Sequence, residues 1–261
     1  MKTKHHVLLC HCGEANIGDA GCRQAVHDGL LAANIPFTGT PDLCRWVAEH
    51  DSRLHDLADA ARLTIIACHP RAVLAMLCAA GIRMPPDQLT ILDLRRMAAA
   101  DILAAIPDTD ARPLPDETDN GNGWQPWFPV IDHTRCTNCG QCMNFCLFGV
   151  YSRSPEGTVT VTTPQACKTN CPACARICPQ VAIMFPKLPD HESPLNGDAI
   201  TDDENLKTRA RVNADALLGD DLYAALAQRR QQARGRLLKT QQERQAEAER
   251  AACSRENLPW A

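Results

Sequence analysis

Of the fifteen cysteines in this 261-residue chain, eight fall in two runs. Cys136, Cys139, Cys142 and Cys146 form the first; Cys167, Cys171, Cys174 and Cys178, followed by Pro179, form the second. Thiolates at steps of about three residues wrap one small concave loop. That arrangement suits a cubic iron–sulfur cluster, in which each iron takes one soft, negatively charged sulfur from the protein. The fourth cysteine of each run comes later and can point away from its own loop. Structural zinc is the bland alternative, because zinc ribbons close on four thiolates in two separated pairs. A third cysteine so soon after the second is surplus to such a pair, and the surplus occurs twice. Disulfides fit less well, since nothing in the chain suggests export.

The flanks of the runs repeat as well. Phe128-Pro129-Val130-Ile131-Asp132 precedes the first run and Leu147-Phe148-Gly149-Val150-Tyr151 follows it. Val159-Thr160-Val161-Thr162 precedes the second and Gln180-Val181-Ala182-Ile183-Met184-Phe185 follows it. Each half reads as strand, ligand loop, short helix and strand, joined by the turn Ser154-Pro155-Glu156-Gly157. A unit this small cannot bury an independent core, so bound clusters and paired strands must supply much of its stability. Residues 127–188 resemble bacterial-type two-cluster ferredoxins. The resemblance implies electron transfer through two [4Fe-4S] clusters that exchange a ligand. One would sit on Cys136, Cys139, Cys142 and Cys178, the other on Cys167, Cys171, Cys174 and Cys146. Two departures stand out: Leu147 follows Cys146 where that family has proline, and three residues rather than two separate Cys167 from Cys171. Neither removes a ligand.

Those loops need elements to hold them, and the rest of the chain supplies a different pattern. Val7-Leu8-Leu9-Cys10, Leu63-Thr64-Ile65-Ile66-Ala67-Cys68 and Leu89-Thr90-Ile91-Leu92-Asp93-Leu94 read as apolar strands. Helical patterns alternate with them. One runs from Asp19 to Leu31, one is capped by Asp42, one is opened by Pro70 and closed by Gly81, and one spans Met97 to Ile106. Leu54 and Leu57 continue the second of these or start another. Near-continuous apolar strands alternating with helices predict a parallel α/β sheet covered by helices, whose strand ends are the place for ligands. The expected organisation is an α/β domain over 1–106, a linker over 107–126, a small α+β two-cluster ferredoxin domain over 127–190 and a polar helical tail over 191–261. Prolines, acids and Asn120-Gly121-Asn122-Gly123 make the linker a solvated one that lets the halves shift.

Four further cysteines fall where such a sheet would present them. Cys10 and Cys12 lie at the tip of the first strand, Cys68 ends the next clear one, and Cys44 opens a helix. Together they are a candidate third iron–sulfur site; a redox-active thiol pair, zinc and inert buried cysteines are the alternatives. Cys10-His11-Cys12-Gly13 with Asn16-Ile17, Cys44, and Ala67-Cys68-His69-Pro70-Arg71 resemble the N-terminal domain of the heterodisulfide reductase A subunit. That resemblance implies a further cluster on these cysteines. It does not carry the reductase's bifurcating chemistry, since the flavin-binding Gly-x-Gly-x-x-Gly is absent. His11 and His69 read as hydrogen-bond donors around the site or as solvated groups, and Cys78 as core packing. Cys22 and Cys253 have no partner pattern.

The remaining features bound the function class. A net charge of -4 favours no particular partner. The apolar stretch at the start spans about four residues against the roughly 7–15 of an export signal. No stretch reaches the roughly 18 apolar residues of a membrane span. The expectation is a cytoplasmic protein in a reducing compartment. In the tail, Leu218, Leu222 and Leu226 form a docking stripe, and Arg229, Arg230, Arg234, Arg236 and Lys239 form a basic run that reads as a solvated face rather than a nucleic-acid site. The sequence thus predicts an electron carrier or redox-complex subunit rather than a stand-alone enzyme. Its partners would be redox proteins, with no nucleic acid and no membrane insertion. The alternative is a subunit of a thiol/disulfide oxidoreductase fed by the clusters.

Overall fold

The computed structural model describes residues 5–13, 15, 17–107, 124–189, 193–200 and 228. By its contacts the chain divides into Met1–Ala210 and Arg211–Ala261, and the architecture below belongs to the first. Most of the expected linker (108–123), Asn16, the leucine stripe and basic run of the tail, and Cys253 lie outside the described residues.

The N-terminal half is a parallel sheet with helices on both faces. Its strands are β1 (His5–Cys10), β2 (Thr38–Thr40), β3 (Arg62–Ala67) and β4 (Leu89–Asp93), in the order β2-β1-β3-β4. Period-two alternation sends Leu8 and Cys10 of β1 to one face and Val7 and Leu9 to the other. Both faces are buried, which is why the strands read as unbroken apolar runs. Helices α1 (Ala20–Ala32) and α5 (Ala99–Ala104) pack together and cover the Val7 face with Val26, Leu30 and Ile102. Helices α2 (Leu43–Ala48), α3 (Arg53–Ala58) and α4 (Pro70–Ala79) cover the other. The Asp19 carboxylate caps α1 by accepting from Gly21 N at 2.9 Å, and Asp42 caps α2 by accepting from Cys44 N at 2.9 Å. The chain leaves β1 toward β2 and later returns to β3 on the opposite side of β1. Between β1 and β3 the connections therefore diverge, and their C-terminal ends frame a crevice.

The second, smaller region is α+β. Strand β5 (Val130–Ile131) pairs antiparallel with β8 (Ile183–Met184), and β6 (Tyr151–Arg153) with β7 (Val159–Val161). Helices α6 (Gln141–Phe145) and α7 (Ala173–Arg176) pack against each other between the pairs.

Several local expectations shift. Strand β2 was not legible, because Thr-Gly-Thr carries no apolar period. The expected strand at Leu147–Tyr151 starts only at Tyr151. Gly149 turns the backbone at φ +67°, and Leu147 and Phe148 stand 63% and 41% exposed instead of pairing.

The two regions share a core. Phe128, Val130 and Met184 pack with α2, α3 and α4 residues. Helix α4 buries Ala72, Val73, Ala75, Met76 and Leu77, more than the single stripe a sheet-covering helix needs, so it serves the sheet and β5 together. From its first turn the Arg71 guanidinium donates to Asp132 Oδ2 (2.9 Å), Val181 O (2.6 Å) and Pro194 O (3.0 Å). Trp124 stacks on Phe128 beneath the Arg45 guanidinium, and Trp127 stacks on Phe185. Residues 193–200, expected at the start of the tail, lie against α4. There Gly197 at φ +108° passes so close to Ala72 and His69 that a side chain would collide.

Candidate metal centres

The first loop owes its shape to two left-handed residues, Asn138 (φ +57°) and Gly140 (φ +81°). They turn the chain twice and bring Cys136, Cys139 and Cys142 around one hollow. Asn138 tolerates that conformation because its side-chain carbonyl accepts Val159 N at 3.0 Å. Arg153 donates to Asn138 O and Gly157 O, tying the loop to the β6–β7 hairpin. The hollow comprises about 370 Å³ of space opening to solvent. It is lined by Cys136, Cys139 and Cys142 together with Cys178 of the second run, over walls from Ile131, Val159 and Ile183. Asn138 N donates to Cys136 Sγ and Ala182 N to Cys178 Sγ, each at 3.4 Å. Burial pushes the Cys142 thiol up to about 12, and Cys178, Cys136 and Cys139 add to it. Burial raises Cys178 as well.

In the second run Cys167 follows a short turn at Pro164–Ala166, Cys171 follows left-handed Asn170, and Cys174 sits in α7. Cys146 ends α6 and stands with these three rather than with its own loop. Burial first, then Cys146 and Cys171, push Cys167 up to about 12. Cys174 reaches about 12 through burial, with Cys167 and Cys146 adding. The buried Tyr151 phenol has no hydrogen-bond partner, although it faces Cys174.

The N-terminal cysteines meet at the C-terminal edge of the sheet, at the crevice between β1 and β3. Cys10 ends β1, Cys12 follows in a left-handed turn (φ +47°), Cys68 follows β3, and Cys44 lies in the first turn of α2. All four are buried. Cys10 Sγ and Cys12 Sγ are 3.3 Å apart, and Leu43 N donates to Cys10 Sγ at 3.3 Å. Cys12 is held well above the ordinary thiol range by its bonds to Cys10 and Cys68 and then by burial. Cys44 is held there by burial and the Asp42 carboxylate. Cys68 is lowered, chiefly by the bond from Cys12. His69 turns to Asp198, with Nδ1 3.3 Å from Oδ1, and Arg95 joins Asp93 to Asp198 beside it.

A residue the sequence did not flag completes this edge. Lys187, beyond β8, is buried and ion-paired with Asp42 Oδ2. Burial opposes its charge, but Cys44 and Asp42 together hold its ammonium above the ordinary lysine value. A lone lysine between Pro186 and Leu188 carries no motif, so only the fold reveals it. Cys22 Sγ donates to Met97 O at 3.6 Å, and Cys78 is half-buried.

Among the described residues no group of three or more His, Cys, Asp and Glu side chains is arranged to hold a metal ion. The thiols of the first site stand around a hollow instead of closing on a point. Soft donors, apolar walls, N–H groups aimed at sulfur and an unpartnered phenol suit a bulky anionic iron–sulfur core, which accepts such bonds. Also among the described residues, no helix is long and apolar enough to cross a membrane.

Comparison with known proteins bears on the cysteine-rich region. The family model of a 4Fe-4S dicluster domain matches residues 128–211, about a third of the chain. An uncharacterized ferredoxin of Methanocaldococcus jannaschii is 46% identical over 61 residues, covering 23% of this chain and 41% of that protein. The matched stretch thus spans about two-fifths of its relative. Residues 128–211 thus carry a 4Fe-4S dicluster domain of the ferredoxin type.

Proposed function

We propose that this protein is a cytoplasmic electron carrier, or the electron-carrying subunit of a redox complex, with two [4Fe-4S] clusters in its ferredoxin region and a third in its N-terminal region. Cys136, Cys139, Cys142 and Cys178 hold the first cluster, and Cys167, Cys171, Cys174 and Cys146 the second. Cys10, Cys12, Cys44 and Cys68, the residues of the heterodisulfide-reductase-like pattern, hold the third. When bound, such clusters take up and release single electrons at potentials set by charge, hydrogen bonding and solvent access. The chain supplies the thiolates, the N–H donors at Cys136, Cys178 and Cys10, and the apolar walls that keep water away. The partners are redox proteins.

The observation that carries this reading is the hollow that Cys178 shares with the first run, 32 residues upstream of it at the nearest ligand-run member, Cys146, and yet lined by Cys136, Cys139 and Cys142. Ligand exchange between runs is the arrangement that two-cluster ferredoxins require. Its test is the pair of variants Cys178→Ser and Cys146→Ser, read by EPR after anaerobic reconstitution. Cys178→Ser should alter the signal that Cys136→Ser alters, and Cys146→Ser the signal that Cys171→Ser alters. The opposite pairing would overturn the assignment.

One observation favours a second reading for the N-terminal region. Cys10 Sγ and Cys12 Sγ are 3.3 Å apart, with Cys68 against Cys12, a spacing suited to reversible thiol–disulfide chemistry in a thiol/disulfide oxidoreductase subunit. Loss of two titratable thiols on mild oxidation, with no iron lost, would favour it over a third cluster.

A further inference from the structure

The structure assigns Lys187, a residue of the ferredoxin region, as the counter-charge of the N-terminal cysteine site. The inference rests on the proposed cluster at Cys10, Cys12, Cys44 and Cys68.

Four thiolates gathered in a buried site bring negative charge out of water, and uncompensated buried charge is costly. Two cations approach this site. Arg95, on the Cys68 side, is shared between the carboxylates of Asp93 and Asp198, so it lowers Cys68 only as a minor influence. Lys187, on the Cys44 side, has one carboxylate partner, Asp42, and both side chains are almost wholly buried. Asp42 divides its two oxygens. Oδ1 caps α2, accepting from Cys44 N at 2.9 Å and Arg45 N at 3.4 Å, while Oδ2 takes the Lys187 ammonium. The carboxylate that positions the Cys44 backbone would by itself repel thiolates, and Lys187 cancels it. Cys44 and Lys187 line the same small hollow, with Trp127 and Phe185 beside them. The residues that carry Lys187 there are fixed in turn: Phe185 is wholly buried and stacked on Trp127, and Phe185 N donates to Leu195 O at 2.7 Å.

It follows that the N-terminal site is built from both halves of the molecule. Residues 1–106 hold every cysteine of the quartet but lack Lys187, the cation on its Cys44 side.

The test is redox-titrated EPR and iron analysis of the anaerobically reconstituted full chain, with dithionite as the one-electron titrant. Lys187→Gln leaves Asp42 bare, Asp42→Asn leaves Lys187 bare while keeping a capping side chain, and the double variant removes both charges. The account predicts opposite signs. Lys187→Gln lowers the N-terminal midpoint, Asp42→Asn raises it, and the double variant falls between them. Lys187→Arg stays near the parent. The reduced-to-oxidised ratio at fixed potential should change about tenfold or more in each single variant, which for a one-electron couple is about 59 mV. The two ferredoxin signals report folding in every variant and should keep their midpoints. Lys187 with a purely structural role would give loss of iron in all variants but Lys187→Arg, without ordered signs, and that result would overturn the assignment. An unchanged N-terminal midpoint in Lys187→Gln, in a protein holding about twelve iron, would overturn the Lys187 role alone. A parent protein holding only about eight iron would overturn the N-terminal cluster itself.

Discussion

At the scale of single residues, the sites are shaped by a few side chains whose effects have definite signs. Gly140 sits at φ +81°, and a side chain there would collide with the Arg153 guanidinium. Gly140→Ala should therefore cost about 1–2 kcal/mol through backbone strain alone. Adding Arg153→Ala should relieve the collision but not the strain, which thermal unfolding of the two variants would show. Tyr151 has a buried hydroxyl with no partner, facing Cys174. An unpaired buried hydroxyl costs about 1–3 kcal/mol, so Tyr151→Phe should leave the cluster-free protein as stable or more stable. In the loaded protein the same change should lower the midpoint of the second cluster, because a hydrogen bond to sulfur is lost. The buried thiols add a pH dependence. Cys142, Cys167 and Cys174 are raised from the ordinary 9.0 to about 12 in the fold. A raised value favours the neutral thiol, so its contribution to the cluster-free fold is complete below about 9 and disappears as pH rises through 12. Urea midpoints of cluster-free protein should fall across that window. Iron uptake, which displaces these protons, should strengthen as pH rises from neutral.

Among the elements, the strands and helices of the N-terminal half were legible because their apolar periods are long and distinct. The strand ends carrying Cys10 and Cys68 followed from the same patterns, as did the Asp42 cap that opens the Cys44 helix. Strand β2 was hidden by its length and composition. What the cysteine spacing could not convey was the contact between halves. In sequence, the broad apolar surface of α4 reads as one wide stripe, and only the fold divides it between the sheet and β5. Lys187, Asp198 and the bridging role of Arg71, read in sequence only as the end of the Ala67–Arg71 pattern, were hidden for a related reason, since each is an ordinary charged residue until the chain brings its partner. Arg71 is the strongest case, with its three acceptors at Asp132, Val181 and Pro194. Arg71→Ala should cost about 3 kcal/mol, because it strands the buried Asp132 carboxylate and two carbonyls. Burial opposes ionisation of Asp132, but Thr134 and Arg71 prevail and hold its carboxyl below the ordinary 3.8. A lowered value gives stability that is complete above 3.8 and is lost as pH falls through the folded value. The cluster-free parent should therefore weaken as pH falls below about 4, and Arg71→Ala should weaken less steeply there. Parallel acid dependences in the two proteins would contradict this account of the interface.

For the molecule as a whole, the dicluster domain is packed against a parallel α/β sheet through a common core. Met1–Ala210 forms one compact unit, in which helix α4 packs on both the parallel sheet and β5. The N-terminal quartet gathers at the topological switch point of the sheet, where open α/β folds bind ligands. The ferredoxin region reaches that edge with Lys187, and residues 193–200 reach it with Asp198. Such an arrangement fixes the separation between the cysteine sites, which a pair of domains on a flexible tether would not. Unfolding of the cluster-free protein should accordingly be a single transition by both near-UV and far-UV circular dichroism, and two separated transitions would show that the halves are independent. The central claim, that the chain is an iron–sulfur electron carrier, is tested most directly by the iron and acid-labile sulfide content of the anaerobically purified full chain. The account predicts about twelve of each per chain, with about eight belonging to the dicluster domain. Zinc without sulfide, or fewer than about eight iron after reconstitution, would contradict it.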